Sequence, residues 1–199
     1  MYLDLVESCG YTIKGLYHYN DERVGELDHG YPIIGSFNDL FSLNSLEGMS
    51  FALSQGDNKM RATIFEKIVE KKGSVPTLIH PSANVSKYAQ LGRGVVVHMN
   101  TVVHPDVTVG DNTVLSYNVS VTHSTHIGKN CYLAFGVMLG AYTIVEDFVF
   151  IGIGAIVISG KVDSIGTFAS IGAGAVVTKS VASYECVAGN PAKFIKTLK

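Results

Sequence analysis

The sequence predicts a mainly β protein, a parallel β-helix preceded by a small α/β domain. Beginning at Ile79, every sixth residue as far as Val157 is aliphatic, and a small residue stands four positions after each one except the last. A six-residue period of this kind is typical of a parallel β-helix. The preceding part of the chain lacks the period and alternates between strand-like and helix-like segments. We therefore place the α/β domain at residues 1–76, the β-helix at 77–183 and a C-terminal tail at 184–199.

The hexapeptide period predicts a prism with three flat sides. Each hexapeptide supplies one short strand and one corner, and three of them close a coil. The large aliphatic residue and the small residue both point into the narrow interior, which puts Cys131 in the core and makes it a poor nucleophile. Coils stack at the strand spacing of about 4.8 Å, so residues eighteen apart lie above one another. Two extra residues near 161–164 shift the phase, which resumes at Ile165. An antiparallel sandwich would instead show a period of two.

Residues 1–76 predict a small parallel α/β unit. The pattern predicts strands at 11–17 and 50–54 and a helix that ends at Gly73. The apolar face predicted for that helix consists of Met60, Ile64, Phe65, Ile68 and Val69. Such units usually begin with a strand and a glycine-rich phosphate loop, and neither precedes the first helix here. We therefore expect an N-terminally truncated nucleotide-binding-like domain. Either the missing strand and loop lie upstream of Met1 or the ligand is held in another way.

Composition narrows the classes of partner. Hydrophobic residues make up 47% of the chain and charged residues 16%, with a net charge of −2 and no basic run, which argues against nucleic acid and anionic membranes as partners. The start has no signal-peptide pattern, and no apolar run approaches the ~18 residues of a membrane helix. Three widely spaced cysteines indicate neither a disulfide framework nor a zinc motif. These features favour a cytoplasmic protein.

The hexapeptide array, the segment "VTHSTHIG" (121–128) and the closing "VAGNPAKFIK" (187–196) resemble bacterial sugar-nucleotide acyltransferases of the NeuD/PglD type. The resemblance covers nearly the whole chain. It implies a left-handed β-helix, a nucleotide-binding α/β domain and transfer of an acetyl group from acetyl-CoA. Handedness comes from this resemblance alone, because parallel crossovers are usually right-handed.

Carried over onto this sequence, the resemblance makes His123 the catalytic base, followed by Ser124. It implies that the backbone N–H of Ala141, eighteen residues further on, binds the thioester oxygen. Tyr132 stands where the family has a histidine that contacts the donor. The other matching acetyl-CoA positions are Ile153 and Ala173, with the "GNPAK" tail (189–193) near the adenine end.

The resemblance also implies an acceptor site in the α/β domain. His18 and Tyr19 stand where relatives have an acidic pair near the nucleotide sugar. The segment "SQGDN" matches the substrate loop of the family, so that Gly56, Asp57 and Asn58 are candidate contacts.

The sequence is compatible with four classes of function. We expect an acetyl-CoA-dependent enzyme that acetylates an amino group of a nucleotide-linked sugar, because Ser124 carries no charge to raise the basicity of His123. The alternatives are a sugar or sialic acid O-acetyltransferase, a metal-dependent hydratase of the carbonic anhydrase type using His80 and His98, and a non-catalytic scaffold. No metal is expected, since Ser116 follows these two histidines in register. Flat outer faces with little charge predict a homotrimer.

Overall fold

The computed structural model describes residues 2–198. Its first 76 residues contain a small three-stranded sheet and three helices, which we call the α/β unit. The elements of this unit are α1 (Tyr2–Ser8), β1 (Leu16–His18), a 3₁₀ turn (Asp21–Arg23), β2 (Leu27–Asp28), β3 (Tyr31–Ser36), α2 (Phe37–Ser42) and α3 (Asn58–Glu70). The strand order is β1-β3-β2, with β1 parallel and β2 antiparallel to β3. None of the helices within residues 2–198 is long and apolar enough to span a membrane.

Of the two strands predicted in this unit, one is shorter than predicted and the other does not form. The first strand begins only at Leu16, and segment 50–54 forms a single bridge between Ser50 and Ser74 rather than a strand. The second difference has a simple cause. Two residues after Ser74 stands Pro76, which has no N–H to continue a ladder.

Helix α3 forms as predicted, but its buried face is not the purely apolar one. The side chains of Ile64, Phe65 and Ile68 are buried, whereas Met60 is 52% exposed and the neighbouring Arg61 is only 1% exposed. The left-handed residue after the helix is Lys72 (φ 65°), not Gly73. Gly73 has a different role, because a Cβ there would lie 2.7 Å from Cγ2 of Ile68.

The rest of the chain is the predicted β-helix of stacked two-residue strands. In chain order the strands are β4 (Leu78–Ile79), β5 (Asn84–Val85), β6 (Gln90–Leu91), β7 (Val96–Val97), β8 (Val102–Val103), β9 (Thr108–Val109), β10 (Val114–Leu115), β11 (Ser120–Val121), β12 (His126–Ile127), β13 (Tyr132–Leu133), β14 (Met138–Leu139), β15 (Ile144–Val145), β16 (Phe150–Ile151), β17 (Ile156–Val157), β18 (Ser164–Ile165), β19 (Ser170–Ile171), β20 (Val176–Val177), β21 (Glu185–Ala188) and β22 (Lys193–Thr197).

These strands form the three faces of the prism. Face 1 contains β4, β7, β10, β13, β16, β19 and β21, with β22 added antiparallel at its end. Face 2 contains β5, β8, β11, β14, β17 and β20, and face 3 contains β6, β9, β12, β15 and β18. Neighbouring strands are parallel and eighteen residues apart through most of each face, as between Leu115 and Leu133. We name each corner by the two faces that it joins.

The interior follows the hexapeptide pattern. From Val95 onward the predicted aliphatic residues form one continuous buried cluster that reaches Val187, and Cys131 lies inside it. The first coil differs from the prediction, because no coil precedes it: Ile79 is 39% exposed, and Val85 and Leu91 are only partly buried. Burial raises the pKa of the Cys131 thiol to about 12, which keeps it protonated. The inward hydroxyls are also satisfied, since Thr113 Oγ1 donates to the Gly128 carbonyl (2.8 Å) and Thr125 Oγ1 to the Gly140 carbonyl (3.1 Å).

The two extra residues sit on one corner and leave the core intact. Strand spacing rises to twenty there, as between Val145 and Ile165. Val162 takes the inward position at 2% exposure, so that the charged Lys161, which the strict period would put inside, is exposed.

The α/β unit packs on face 1. Leu5 of α1 is buried against Leu78, Val96 and Val114. The Tyr2 ring meets His98 edge-on, with ring centroids 5.2 Å apart. Burial, with a smaller contribution from His80, lowers the pKa of His98 to about 4. His98 is therefore a neutral part of this contact at pH 7.

Arg61 of α3 joins the unit to the corner between faces 3 and 1. Its guanidinium donates to the carbonyls of Asn112 (3.2 Å), Asn130 (3.2 Å) and Cys131 (3.1 Å) in the β-helix. It also donates to the Gln55 carbonyl (3.0 Å) inside the α/β unit. A buried cation thus has neutral oxygen acceptors on both sides of the junction, and each acceptor depends on it in turn.

Gly110 tests how closely the coils are stacked. A Cβ there would lie 2.7 Å from both the Gly128 carbonyl carbon and the Lys129 nitrogen. We expect Gly110→Ala to lower the free energy of unfolding by about 1–3 kcal/mol, since backbone cannot move aside easily. Urea denaturation would measure it. Gly56→Ala is the control, because no atom lies within 4 Å of a Cβ there. Equal losses in both variants would contradict the stacking argument.

Arg61 tests the junction. Arg61→Met leaves buried carbonyls without a donor, and each unsatisfied group costs about 1–3 kcal/mol, so we expect a loss of roughly 3 kcal/mol in urea denaturation. Faster proteolysis within residues 2–76 should accompany it. The control is Arg93→Met, which breaks an exposed ion pair with Asp111 (3.2 Å) and should cost at most about 1 kcal/mol. A loss as small as that of the control would show that Arg61 does not hold the junction.

Candidate active site

His123 and Ser124 form the corner between faces 2 and 3, as the period predicts. The side chain of His123 is exposed, and its Nδ1 lies 3.3 Å from Ser124 Oγ. One coil above, the same corner carries Ala141 and Tyr142, because Val121 pairs with Leu139 on face 2. The rings of His123 and Tyr142 are perpendicular, with centroids 5.2 Å apart. This corner is the candidate catalytic centre.

The backbone above His123 offers two free donors. At most corners the second residue donates its N–H to the coil below, as Asn130 does to the Asp111 carbonyl (2.9 Å) and, one coil below on this corner, Ser124 does to the Pro105 carbonyl (3.3 Å). Within residues 2–198, neither the Ala141 N–H nor the Tyr142 N–H has an acceptor. Successive N–H groups that end in a left-handed residue such as Tyr142 (φ 60°) form an anion-binding nest. The N–H predicted for the thioester oxygen is therefore available.

The two other predicted acetyl-CoA positions lie across face 2 from His123. Ile153 and Ala173 occupy the corner between faces 1 and 2, and Ile153 is 55% exposed. The "GNPAK" turn reaches the same side, since the Val176 N–H donates to the Gly189 carbonyl (3.0 Å). Between the two corners, face 2 presents Met138, which is 54% exposed. Met138 and Ile153 thus place exposed apolar side chains between His123 and the tail.

Tyr132 lies apart from this group. Its side chain belongs to face 1, where it packs with α1, and the Arg61 guanidinium lies 5.7 Å from its ring centre. Its ring also stacks on Phe150 at 6.0 Å. In this chain the residue has a clear packing role, and its contact with acetyl-CoA stays a prediction.

The predicted substrate loop lies at the corner between faces 3 and 1. Asp57 caps α3 by accepting from the Met60 N–H (2.7 Å). Asn58 accepts from Arg61 (2.8 Å) and donates to the Val149 carbonyl (3.3 Å). Both side chains therefore also hold the loop in place. Gly56 is different, because it has an ordinary φ and open space around it.

His18 and Tyr19 lie at the carboxyl end of β1, where open α/β sheets bind ligands. Their rings stack at 4.4 Å, and Tyr19 is 74% exposed. His18 Nδ1 accepts from the Asn20 N–H (3.0 Å), and Arg23 lies 3.4 Å from its Nε2. The pair thus presents one supported, open aromatic surface at the expected edge.

The structure separates the predicted residues into two groups. His123 and Ala141 lie on one edge of face 3, whereas Arg61 fixes the substrate loop to the other edge of that face. Within one chain the catalytic corner and the acceptor loop are therefore not adjacent.

The two alternative histidines are not arranged as metal ligands. His80 Nδ1 lies 2.8 Å from Ser82 Oγ, and the His98 ring lies between Tyr2 and Tyr117, stacked on the latter at 4.5 Å. No cluster of three or more His, Cys, Asp or Glu side chains suited to a metal ion occurs in the part of the chain from 2 to 198.

Two residues of the site were missed by sequence reasoning. Arg61 interrupts the apolar face of α3, and its charge suggested exposure. Tyr142 falls on a corner position whose side chain the period leaves outside. The sequence did contain a signal for Tyr142. Ser124 lies eighteen residues before it and directly follows His123, so the period places Tyr142 above the neighbour of His123.

Comparison with known proteins identifies the family of this fold. The family described as bacterial transferase hexapeptide (six repeats) matches residues 88–123. A direct comparison with curated protein sequences finds no match. Among solved structures, the acetyltransferase domain of PglB from Neisseria gonorrhoeae, in complex with acetyl coenzyme A, is 30% identical, with a TM-score of 0.86 over 96% of this chain and 91% of that one.

Two further structures have the same fold. A histidine-to-alanine mutant of GDP-perosamine N-acetyltransferase from Caulobacter crescentus, in complex with CoA and GDP-perosamine, is 28% identical, with a TM-score of 0.89 over 98% of this chain and 90% of that one. WeeI from Acinetobacter baumannii, at 23% identity, has a TM-score of 0.87 over 98% and 93%. With its coiled array, its α/β unit and these relatives, the chain belongs to the hexapeptide-repeat sugar acyltransferases with a left-handed β-helix.

Proposed function

We propose that this protein transfers the acetyl group of acetyl-CoA to an amino group of a nucleotide-linked sugar. The observation that carries the proposal is the corner at His123, where an exposed imidazole lies below two N–H groups without acceptors. Relatives of the same fold support acetyl-CoA and a nucleotide-linked amino sugar as the substrates. One is solved with acetyl coenzyme A, and another, a GDP-perosamine N-acetyltransferase, with CoA and GDP-perosamine.

The proposed reaction needs one base and one oxyanion donor. With Nδ1–H toward Ser124 Oγ, the Nε2 of His123 keeps a lone pair and accepts a proton from the attacking amine. The new C–N bond forms as the carbonyl oxygen becomes negative, and the Ala141 N–H stabilises that charge. The C–S bond then breaks, and the proton passes to the sulfur, so that CoA leaves as a thiol. Cys131 is buried and protonated, which rules it out as a nucleophile, and the proposed transfer passes directly from acetyl-CoA to the amine.

Acetyl-CoA is proposed to lie along face 2. Its thioester would reach the corner of His123, and the chain would run over Met138 toward Ile153, Ala173 and the tail. Apolar side chains that are half exposed suit a pantetheine arm, because contact with it removes their surface from water.

The acceptor is proposed to be an amine rather than a hydroxyl. Ser124 supplies a hydroxyl beside His123 and no charge to strengthen the base. The proton on nitrogen becomes acidic as the tetrahedral adduct forms, so a weak base suffices for it. A sugar hydroxyl makes larger demands on the base.

The acceptor would be bound by residues of the α/β unit. The exposed Tyr19 ring, backed by His18, offers a stacking surface at the carboxyl end of β1. The open space at Gly56 would allow close approach of the sugar to the loop that includes Asp57 and Asn58.

The two halves of the site would meet between copies of the chain. Because face 3 separates His123 from the substrate loop, a second copy must bring its loop to this corner. The exposed apolar side chains of Met138 and Ile144 on either side of the corner would be covered by such a contact. Cyclic closure of three copies gives the proposed homotrimer. Three free cysteines fit a reducing compartment such as the cytoplasm.

Acceptor chemistry tests the activity. With acetyl-CoA and matched 4-amino and 4-hydroxy nucleotide sugars, we expect the higher kcat/KM for the amine. His123→Ala should lower kcat by about 10²–10⁴-fold, the usual contribution of a general base. His126→Ala is the matched control, since His126 is exposed three residues away beside Thr108 Oγ1 (2.8 Å), and its kcat should be unchanged. Preference for the hydroxy sugar would refute the amine proposal, and full activity of His123→Ala would refute the base.

Mixed oligomers test the site between copies. His123→Ala and Gly56→Trp should each be inactive, the second because the indole would fill the open space at the loop. Coexpressed with different tags and purified as mixed trimers, they should regain about a third of the wild-type activity, because one of the three contacts in each mixed trimer pairs two intact halves. Sedimentation would confirm the trimer. A mixture as inactive as its parents would place the site within one chain.

A further inference from the structure

The second residue of nearly every corner has a left-handed backbone. Small residues suit this conformation, since bulky side chains are strained at positive φ. Most of these positions have asparagine, glycine, aspartate or serine: Gly94, Asn100, Asp106, Asn112, Asn118, Ser124, Asn130, Gly136, Gly154, Gly160 and Gly174. Four have aromatic residues with φ between 59° and 62°: Tyr142, Phe148, Phe168 and Tyr184.

Stacking accounts for three of the four aromatic residues. Phe148 and Phe168 are nearly parallel with centroids 4.6 Å apart, and Tyr184 stacks on Phe168 at 5.2 Å. This ladder occupies the corner between faces 3 and 1, next to Lys59 of α3, whose Nζ is 5.2 Å from the Phe168 ring centre. Aromatic contacts of this kind offset the backbone strain.

Tyr142 has no such ladder. It is 67% exposed, and Ser124 and Gly160 occupy the corner positions below and above it. Among residues 2–198, its one ring partner is His123, at 5.2 Å and 88°. A strained residue that gains so little packing indicates a functional constraint rather than a contribution to stability.

His123 needs a constraint of this kind. Its imidazole is exposed, and its hydrogen-bonding contact within the described chain is the 3.3 Å approach of Nδ1 to Ser124 Oγ. So long a contact leaves the ring free to rotate. A perpendicular ring on the coil above blocks part of that rotation, and it does so one residue after the Ala141 N–H.

We propose that Tyr142 is a positioning residue, whose ring holds the His123 imidazole in the orientation required for proton transfer. This inference rests on the function proposed above. The proposed role depends on the aromatic ring of Tyr142 and not on its phenol hydroxyl. Loss of the ring should affect kcat, because small displacements of a catalytic group lower rates by up to about 100-fold. It should leave the KM for acetyl-CoA unchanged.

The experiment compares Tyr142→Asn with Tyr142→Phe. Asparagine suits the left-handed backbone, so Tyr142→Asn should melt at the wild-type temperature or up to about 4 °C above it. We expect its kcat to fall at least about tenfold and its KM for acetyl-CoA to stay the same. Tyr142→Phe should keep the wild-type kcat. Tyr184→Asn, the same change at φ 62° on a distant corner, is the control and should keep full kcat.

Each outcome decides the inference. Wild-type kcat in Tyr142→Asn, or loss of kcat in Tyr142→Phe, would overturn it. A large drop in the melting temperature of Tyr142→Asn, or loss of its oligomer in sedimentation, would show a structural role and also overturn it. Failure of the proposed function is distinguishable, because the wild-type protein itself would then acetylate neither nucleotide sugar.

Discussion

The parallel ladder of hydrogen bonds between successive coils is the constraint on which the rest of this protein depends. The strands from β4 to β20 have only two residues each, so no single one is stable alone, and each coil relies on its neighbours along the axis. The ladder sets the spacing at eighteen residues and fixes which side chains lie above one another. The interior accepts only a large and a small residue in alternation, and hydroxyls inside it donate to the carbonyls of the neighbouring coil. The ladder therefore fixes the height of each corner residue along the axis of the β-helix.

The groups proposed for catalysis lie at a corner of this regular scaffold. A corner residue points away from the core, so its side chain can change without loss of packing. At the corner between faces 2 and 3, two successive coils carry an exposed imidazole, a strained tyrosine and two N–H groups that have no acceptor among residues 2–198. Each of these features weakens the local structure slightly, through strain or an unused donor. The surrounding coils tolerate them because the ladder continues on both sides.

The α/β unit is attached by a different principle. Apolar packing of α1 on face 1 buries surface, and the hydrogen bonds of Arg61 fix the orientation of the unit on the β-helix. A planar guanidinium has five donors and here reaches five acceptors from both parts of the chain, whereas a lysine has only three donors on one nitrogen. Because Arg61 binds the Gln55 carbonyl and Asn58 together with the β-helix backbone, the position of the substrate loop is tied to the coils. The substrate loop therefore has a fixed place relative to the β-helix of its own chain.

The sequence by itself determined the β-helix, its register and the phase shift near 161–164, because a six-residue period translates directly into coil geometry. It also placed Cys131 inside and His123 outside, and the resemblance carried by "VTHSTHIG" selected His123 among seven histidines. The α/β unit was less predictable, since strand 50–54 failed where Pro76 ends the ladder and α3 buries an arginine. Only the tertiary structure decided that the Ala141 and Tyr142 N–H groups have no acceptor within the described chain, that Tyr142 meets His123, and that Arg61 holds the substrate loop away from the corner of His123. These facts depend on contacts between segments far apart in the chain, and no local pattern of residues encodes such contacts.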